Sequence, residues 1–259
     1  MSYFLEYLQQ SYDSVGAFDA DYVYLYSDFR YFAKYVEELG GKDSFCRAIV
    51  QPFIKRGQTV ITATFTYTAS GRFDVLTTPT KLGALNKWIL EQPEAQRSEH
   101  PLFSYAAIGS KADFLIGIGK SAFGYDSVFD RLKGKNTVFF HVGRPVSMGN
   151  TTLHYIEQCC GATYRTQKAF NTKVYRGEEY IGTNYTAFLR RLDVEGENFY
   201  FNFSKAAKAL QDAKIIKATG EDASFSTISC YKYDDTLLFL SDLFYKDQNL
   251  FIDSDFMQY

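Results

Sequence analysis

Segments with helical periodicity alternate with segments of strand-like periodicity along most of this chain. In residues 59–67, for example, Ile61, Ala63, Phe65 and Tyr67 alternate with valine and threonine, which predicts a strand. Elements of both kinds in regular succession are typical of a domain in which helices pack on a sheet. We therefore predict one layered α/β domain spanning residues 1–259.

The other elements follow from periodicity and from capping residues. We expect helices after Asp43, over 80–91, from about Asn150 and after Ser204, and strands over 137–142, 236–240 and 249–252. Asp43, Asn150 and Ser204 are the expected N-caps. Pro52 should break or kink the first helix, and Gly57 should end it.

Charge and segment composition exclude several classes of partner. The net charge is −2, so the chain lacks the basic excess of a protein held to nucleic acid by phosphate contacts. No stretch has the apolar length of a membrane span, and the first residues lack the basic start of a secretory signal. The four cysteines form no CxxC pair. We therefore expect reduced thiols in a cytoplasmic protein, with the oligomeric state left open.

The stretch NTTLHYIEQ, residues 150–158, carries the clearest chemical pattern. On a helix, His154 and Glu157 are three residues apart and share a face. A histidine beside a carboxylate is the usual form of a general base, although the same pair also occurs on solvated helix surfaces. Thr151 and Thr152 would lie in the first turn, where free N–H groups can bind an oxyanion.

Two further stretches carry polar residues at predicted turns. In 97–112, RSEHPLFSYAAIGSKA, the proline after His100 favours a loop, and Arg97 could meet a phosphate or carboxylate. In 123–129, FGYDSVF, Asp126 could attract a cationic substrate, or the run could simply be a turn before a helix. By itself, each pattern is more typical of a structural role.

Several catalytic and metal-binding patterns are absent. The chain has no GxGxxG, no P-loop and no GxSxG elbow. Its three histidines, His100, His141 and His154, match no familiar zinc spacing. We expect no metal.

In combination, RSEHPLFSYAAIG (97–109), FGYDSVFDRL (123–132) and NTTLHYIE (150–157) resemble the aminoglycoside 3-N-acetyltransferase family. The stretch TATFTY (62–67) gives weaker support. The resemblance runs from about residue 20 to about residue 250. It implies a three-layer α/β/α fold with a mixed central sheet, acetyl-CoA or another acyl-CoA as the donor, and a sugar amine as the acceptor.

The resemblance also implies roles for particular residues. His154, with Glu157 and Thr151, would be catalytic. The coenzyme would meet Ser27, His100, Ser104 and Thr152, and the acceptor would meet Tyr67, Arg97 and Asp126. The run Tyr26–Phe29 departs from the family's His-Ser-Ser-Leu pattern, because only Ser27 matches. Asp28 would repel a pyrophosphate if it faced it.

Three functional hypotheses remain at this point. The first is an N-acyltransferase acting on an amino sugar, possibly nucleotide-linked, for a surface polysaccharide. The second is an aminoglycoside acetyltransferase that confers antibiotic resistance. The third is a non-catalytic sugar-binding relative, and a hydrolase using Ser104 or Cys160 is a further alternative. The modest acidity favours the first, because a polycationic antibiotic requires a strongly acidic cleft.

Overall fold

A seven-stranded sheet forms the centre of the computed structural model, which describes residues 3–191, 201–220 and 227–253. Within these residues the strands are β1 (Tyr22–Ser27), β2 (Thr59–Ala63), β3 (Arg72–Asp74), β4 (Gln96–Arg97), β5 (Tyr105–Ile108), β6 (Thr137–Val142), β7 (Arg165–Phe170), β8 (Lys173–Arg176), β9 (Glu179–Gly182), β10 (Tyr185–Arg190), β11 (Lys217–Ala218) and β12 (Ile228–Lys232). The helices are α1 (Tyr3–Ser14), α2 (Ala33–Glu38), α3 (Lys42–Ile54), α4 (Ala84–Leu90), α5 (Val128–Leu132), α6 (Thr152–Cys160), α7 (Ser204–Asp212) and α8 (Tyr233–Lys246).

The central sheet is mixed, in the order β11-β12-β6-β1-β2-β5-β4. Its middle strands β6, β1 and β2 are parallel, and the strands on either side run antiparallel to them. The carboxyl ends of β6, β1 and β2 therefore meet at one edge, which is where open α/β sheets bind ligands.

Each face of this sheet is covered by helices. Neighbouring strand residues point to opposite faces, so Val23 packs with α1, α3 and α4, while Tyr24 packs with α5, α6 and α8. The two resulting cores are separate clusters of buried apolar side chains. This arrangement confirms the predicted α/β/α fold with a mixed central sheet.

Two small sheets extend the domain beside the central one. Strand β3 pairs with β8, and β8 with β9, while β7 and β10 form an antiparallel pair. The register of the second pair places Arg165 opposite Arg190. Arg165, at the start of β7, also contacts His154 and Glu157 of α6.

The predicted helices exist, but their starts differ from the predicted caps. Helix α3 begins at Lys42, so Asp43 lies in its first turn, where its Oδ1 accepts a hydrogen bond from Trp88 Nε1 at 2.6 Å. The helix continues through Pro52 to its last residue. The caps of α6 and α7 are Thr151 and Phe203, each one residue away from the prediction.

Three predicted segments are wrong in extent or type. Strand β2 ends at Ala63, and residues 64–67 continue outside any strand. The predicted strand 236–240 lies inside α8, which buries Thr236, Leu240 and Phe244 at helical spacing. Residues 249–252 form turns with one bridge from Ile252 to Phe201.

Within the ranges that the structure describes, no helix combines the length and apolar character needed to cross a membrane. All four cysteines lie in these ranges, and they are free thiols.

Candidate functional site

Helix α6 starts at the carboxyl edge of the central sheet because β6 leads into a tight connection. Gly149 has a φ of +75°, a left-handed conformation that favours glycine, and a Cβ there would overlap the ring of Phe203. The chain then enters α6 with Thr151 as the cap. His154 therefore lies near the start of the helix, beside the ends of the parallel strands.

His154 and Glu157 form a hydrogen-bonded pair, as their spacing predicts. His154 Nδ1 lies 2.7 Å from Glu157 Oε2. The Glu157 side chain is completely buried, whereas that of His154 is 19% exposed. The carboxylate therefore holds the inner edge of the imidazole and leaves part of the ring accessible.

Two residues near the start of β7 complete the surroundings of Glu157. Arg165 places its Nε 2.6 Å from Glu157 Oε2, and Tyr164 donates a hydrogen bond from its hydroxyl to Oε1 at 2.8 Å. Arg165 also places Nη2 2.8 Å from His154 Nδ1. A buried carboxylate needs such partners to remain ionised.

The charges of this group act on the pKa values of His154 and Glu157. Burial lowers the pKa of His154, the Arg165 charge lowers it further, and Glu157 opposes both effects. Burial tends to raise the pKa of Glu157, but His154, Arg165 and Tyr164 outweigh it, so that pKa is lowered. The pair is therefore a neutral imidazole beside an ionised carboxylate at neutral pH.

Two cavities meet at His154. The first, here called the Ser27 cavity, has a volume of about 340 Å³. It is lined by Leu25, Tyr26, Ser27, Thr62, Ala63, Phe65, Tyr67, Leu82, Gly83, Asn86, Arg144, Met148, Gly149, Asn150, Thr151, His154 and Phe203. The second, here called the Phe123 cavity, has a volume of about 840 Å³. It is lined by Tyr67, Phe103, Phe123, His154, Arg165, Thr166, Lys168, Leu189, Arg190 and Phe201.

Only His154 and Tyr67 belong to both lining sets among the described residues. Tyr67 has a φ of +54°, unusual for a side chain of its size. Two parallel rings, Phe201 and Phe203, pack on His154 with centroids 5.7 and 6.3 Å from it, one ring in each cavity. The imidazole thus lies where molecules bound in the two cavities would meet.

Of the residues predicted from the sequence, Ser27, Tyr67, Thr151 and His154 line a cavity. Thr152 does not, because its side chain is buried beneath the first turn of α6.

Asp28 turns away from the Ser27 cavity. Its carboxylate accepts hydrogen bonds from Arg30 Nε at 3.0 Å and from Arg30 Nη2 at 2.5 Å. It does not line the cavity, and the Arg30 charge compensates it. The repulsion expected between Asp28 and a pyrophosphate is therefore removed.

His100 and Ser104 lie in the core, so the coenzyme contacts predicted for them are not supported. His100 Nδ1 accepts from the N–H groups of Leu102 and Phe103, and Nε2 lies 3.0 Å from the Thr186 carbonyl oxygen. Burial lowers the pKa of His100 to about 4, so the ring is neutral. Ser104 is fully buried and lines neither cavity.

Arg97 and Asp126, predicted to contact the acceptor, line neither of these two cavities. The buried Arg97 guanidinium donates to Ser104 Oγ and to three backbone carbonyls, including that of Thr64 at 3.0 Å. Asp126 accepts from Arg131 Nε at 2.6 Å. The Arg97 guanidinium and the Asp126 carboxylate therefore stabilise loops through these contacts.

The sequence analysis missed Arg165, Arg144 and Lys168 as site residues. Arg165 and Lys168 come from β7, whose pairing with β10 cannot be read from helical spacing. Arg144 lines the Ser27 cavity and donates to the Met148 carbonyl at 3.1 Å. Among the described residues, no cluster of metal-ligating side chains is found.

The structure thus brings a histidine–carboxylate pair to the wall shared by two cavities, at the ligand-binding edge of an α/β/α sheet. The family model of the aminoglycoside 3-N-acetyltransferases matches residues 38–234. The chain belongs to this family and is an N-acyltransferase by membership.

Solved structures share the fold at low sequence identity. The apoenzyme of aminoglycoside acetyltransferase AAC(3)-IVa is 17% identical, with a TM-score of 0.73 over 95% of this chain and 90% of that chain. The binary structure of AAC-IIIb with CoASH is 16% identical, with a TM-score of 0.71 over 93% and 96%. AAC-VIa bound to sisomicin is 15% identical, with a TM-score of 0.69 over 92% and 96%. No curated protein sequence matches the chain.

Proposed function

We propose that this protein transfers an acyl group, namely acetyl, from the corresponding acyl-CoA to an amine on an amino sugar. In this proposal His154 is the general base. The observation that carries this proposal is the position of His154 on the wall common to both cavities, with Nδ1 held by Glu157. One cavity would take the thioester and the other the amine.

The Ser27 cavity suits the thioester arm of the coenzyme. Its volume of about 340 Å³ accommodates an extended chain but not a whole coenzyme, so the nucleotide end would lie outside. Arg144 lines this cavity and supplies a cation for the phosphates, while Asp28 is already paired with Arg30. That a relative of the same fold was solved with CoASH agrees with this assignment.

In the proposed reaction, the free amine attacks the thioester carbonyl carbon as His154 Nε2 takes a proton from the nitrogen. The carbon–nitrogen bond forms, the carbon–sulfur bond breaks, and the proton passes to the departing thiolate. The N–H groups of the first turn of α6 and the Thr151 hydroxyl would bind the oxyanion that develops on the carbonyl oxygen. Ser27 would contact the donor from the opposite wall.

The Phe123 cavity supports an amino sugar that also carries negative charge, such as a nucleotide-linked one. Its rings, which include Phe103, Phe123 and Tyr67, offer apolar surfaces to a sugar. Its charged lining residues, where the structure describes them, are Lys168, Arg190 and Arg165, of which Arg165 is already paired with Glu157. A polycation is attracted by carboxylates, whereas a phosphate complements this lining.

An aminoglycoside is the second candidate acceptor, and the family and the ligands bound in related structures favour it. AAC-VIa was solved with sisomicin, and a mutant of AAC(3)-IVa with a gentamicin. In this reading the protein would be a resistance enzyme.

The test is a panel of acceptors incubated with acetyl-CoA, with free thiol and product mass as readouts. The panel contains an amino sugar without a phosphate group, a nucleotide-linked amino sugar, sisomicin and gentamicin. We expect the highest kcat/KM with the nucleotide-linked sugar. Higher kcat/KM with the antibiotics would overturn the acceptor assignment and keep acyl transfer. Calorimetric sugar binding without thiol release would show a binding protein instead.

A further inference from the structure

Arg165 is a nearly buried charged side chain beside His154. Its side chain is 3% exposed, and its Nη1 donates to the Phe188 carbonyl oxygen at 2.7 Å. Its other two nitrogens reach the catalytic pair, Nε at 2.6 Å from Glu157 Oε2 and Nη2 at 2.8 Å from His154 Nδ1. The guanidinium thus touches both members of the pair.

These contacts constrain where protons can lie. Glu157 Oε2 can only accept a hydrogen bond when ionised, and the Arg165 guanidinium can only donate. A hydrogen on His154 Nδ1 is therefore favoured by the carboxylate and opposed by the guanidinium. A second proton on the imidazole would create a cation beside the fixed cation of Arg165.

Among the described residues, the charged groups in contact with the His154 imidazole are Glu157 and Arg165, while Lys168 and Arg190 line the Phe123 cavity together with it. Glu157 lies on the same helix and Arg165 on β7, and these are the two charges that act on His154. The remaining neighbours are the rings of Phe123, Phe201 and Phe203. Removing the Arg165 charge therefore takes away the cation that contacts His154 Nδ1 in the described part of the chain.

We propose that Arg165 is a positioning residue that keeps Glu157 ionised in its buried site and holds His154 uncharged between turnovers. An arriving amine then meets a base that is ready to accept a proton at neutral pH. This inference rests on the proposed function, because it assigns His154 the role of base.

The test follows His154 by NMR in the full chain labelled with ¹⁵N-histidine. The sequence has three histidines, and a His154→Gln variant assigns the resonance. Burial lowers the pKa of His100 to about 4 and that of His141 to about 3, so the resonance missing from the His154→Gln spectrum is the one followed through the titration. The imidazole ¹⁵N shifts report both the protonation and the tautomer.

In Arg165→Met we expect the His154 midpoint to rise by about one pH unit, since a cation in contact disfavours the charged imidazole. Arg165→Lys keeps the charge and should keep the midpoint near that of the wild type. If Arg165→Met does not fold, Arg165→Gln replaces it as the neutral variant. A midpoint that is unchanged or lower in the neutral variant overturns the inference, as does a lysine variant that titrates like the neutral one.

The pH profile of kcat/KM is the second readout. Its acidic limb should move upward in the neutral variant together with the NMR midpoint, whereas a structural defect would lower kcat/KM equally at every pH. The NMR measurement of the His154 titration does not require the protein to be active. An inactive wild type would defeat the proposed function and leave the Arg165 effect measurable.

Discussion

His154 Nδ1 lies 2.7 Å from an oxygen of Glu157, a carboxylate with no exposed side-chain surface. A charge so deeply buried is retained only when hydrogen bonds and a counter-charge replace water, and Arg165 and Tyr164 provide both. The pair is therefore built from two elements, α6 and the start of β7.

Replacing Glu157 with Gln should lower kcat by about 10²-fold, because His154 loses the acceptor that orients it and supports the imidazolium. The protein should also lose about 3 kcal/mol or more of stability, since Arg165 is left buried without its counter-charge. Steady-state kinetics and denaturant unfolding measure the two effects. Tyr164→Phe, which removes one hydrogen bond to the same carboxylate, is the matched control and should cost about 1 kcal/mol. Equal stability losses in both variants would contradict a charge-based role.

Thr151→Val should lower kcat by about 10²-fold and leave the KM for acetyl-CoA nearly unchanged, because the lost hydroxyl serves the transition state. Thr152→Val is the matched control. The Thr152 side chain is buried and lines neither of the two cavities. A larger loss of kcat in the control would place the oxyanion contact elsewhere.

The local part of the site was predictable from sequence, and the long-range part was not. His154 and Glu157 are joined by the i to i+3 geometry of one helix, which needs no tertiary information. Arg165 lies on β7, which pairs with β10. The spacing of residues along the sequence does not predict this pairing, and so it does not predict that Arg165 contacts the pair.

The positions of residues that the structure places away from both cavities also have physical causes. His100 and Arg97 lie in the resembling stretch, but their polar atoms are consumed by backbone groups in the core. Residues 236–240 form a short apolar segment, which by itself resembles a strand. They are helical because the buried residues of α8 recur at helical spacing along its whole length.

Lys168→Met should lower kcat/KM about tenfold for an acceptor that carries a phosphate, which corresponds to about 1.4 kcal/mol of lost interaction. It should leave an uncharged amino sugar unaffected. Lys173→Met, a change at an exposed lysine outside the Phe123 cavity, is the control. Equal effects on both acceptors would argue against an anionic acceptor group at this wall.

Stability should fall as the pH drops from 6.5 toward 5. Burial lowers the pKa of His141 to about 3 and that of His100 to about 4, so the unfolded chain binds protons in this range and the folded chain does not. Each histidine then removes about 2 kcal/mol between pH 6.5 and 5. Urea unfolding at both pH values measures the loss, and His141→Gln should reduce it by the share of one histidine, about 2 kcal/mol. A variant with the full wild-type loss would contradict this assignment.

The central claim is that the His154 imidazole accepts the proton of the attacking amine. Its most direct test is thiol release from acetyl-CoA with the best acceptor of the panel, compared between the wild type and His154→Ala, with the unfolding midpoint measured for both. We expect kcat to fall by about 10²–10⁴-fold in a variant that remains folded. Turnover close to that of the wild type in the folded variant would contradict it.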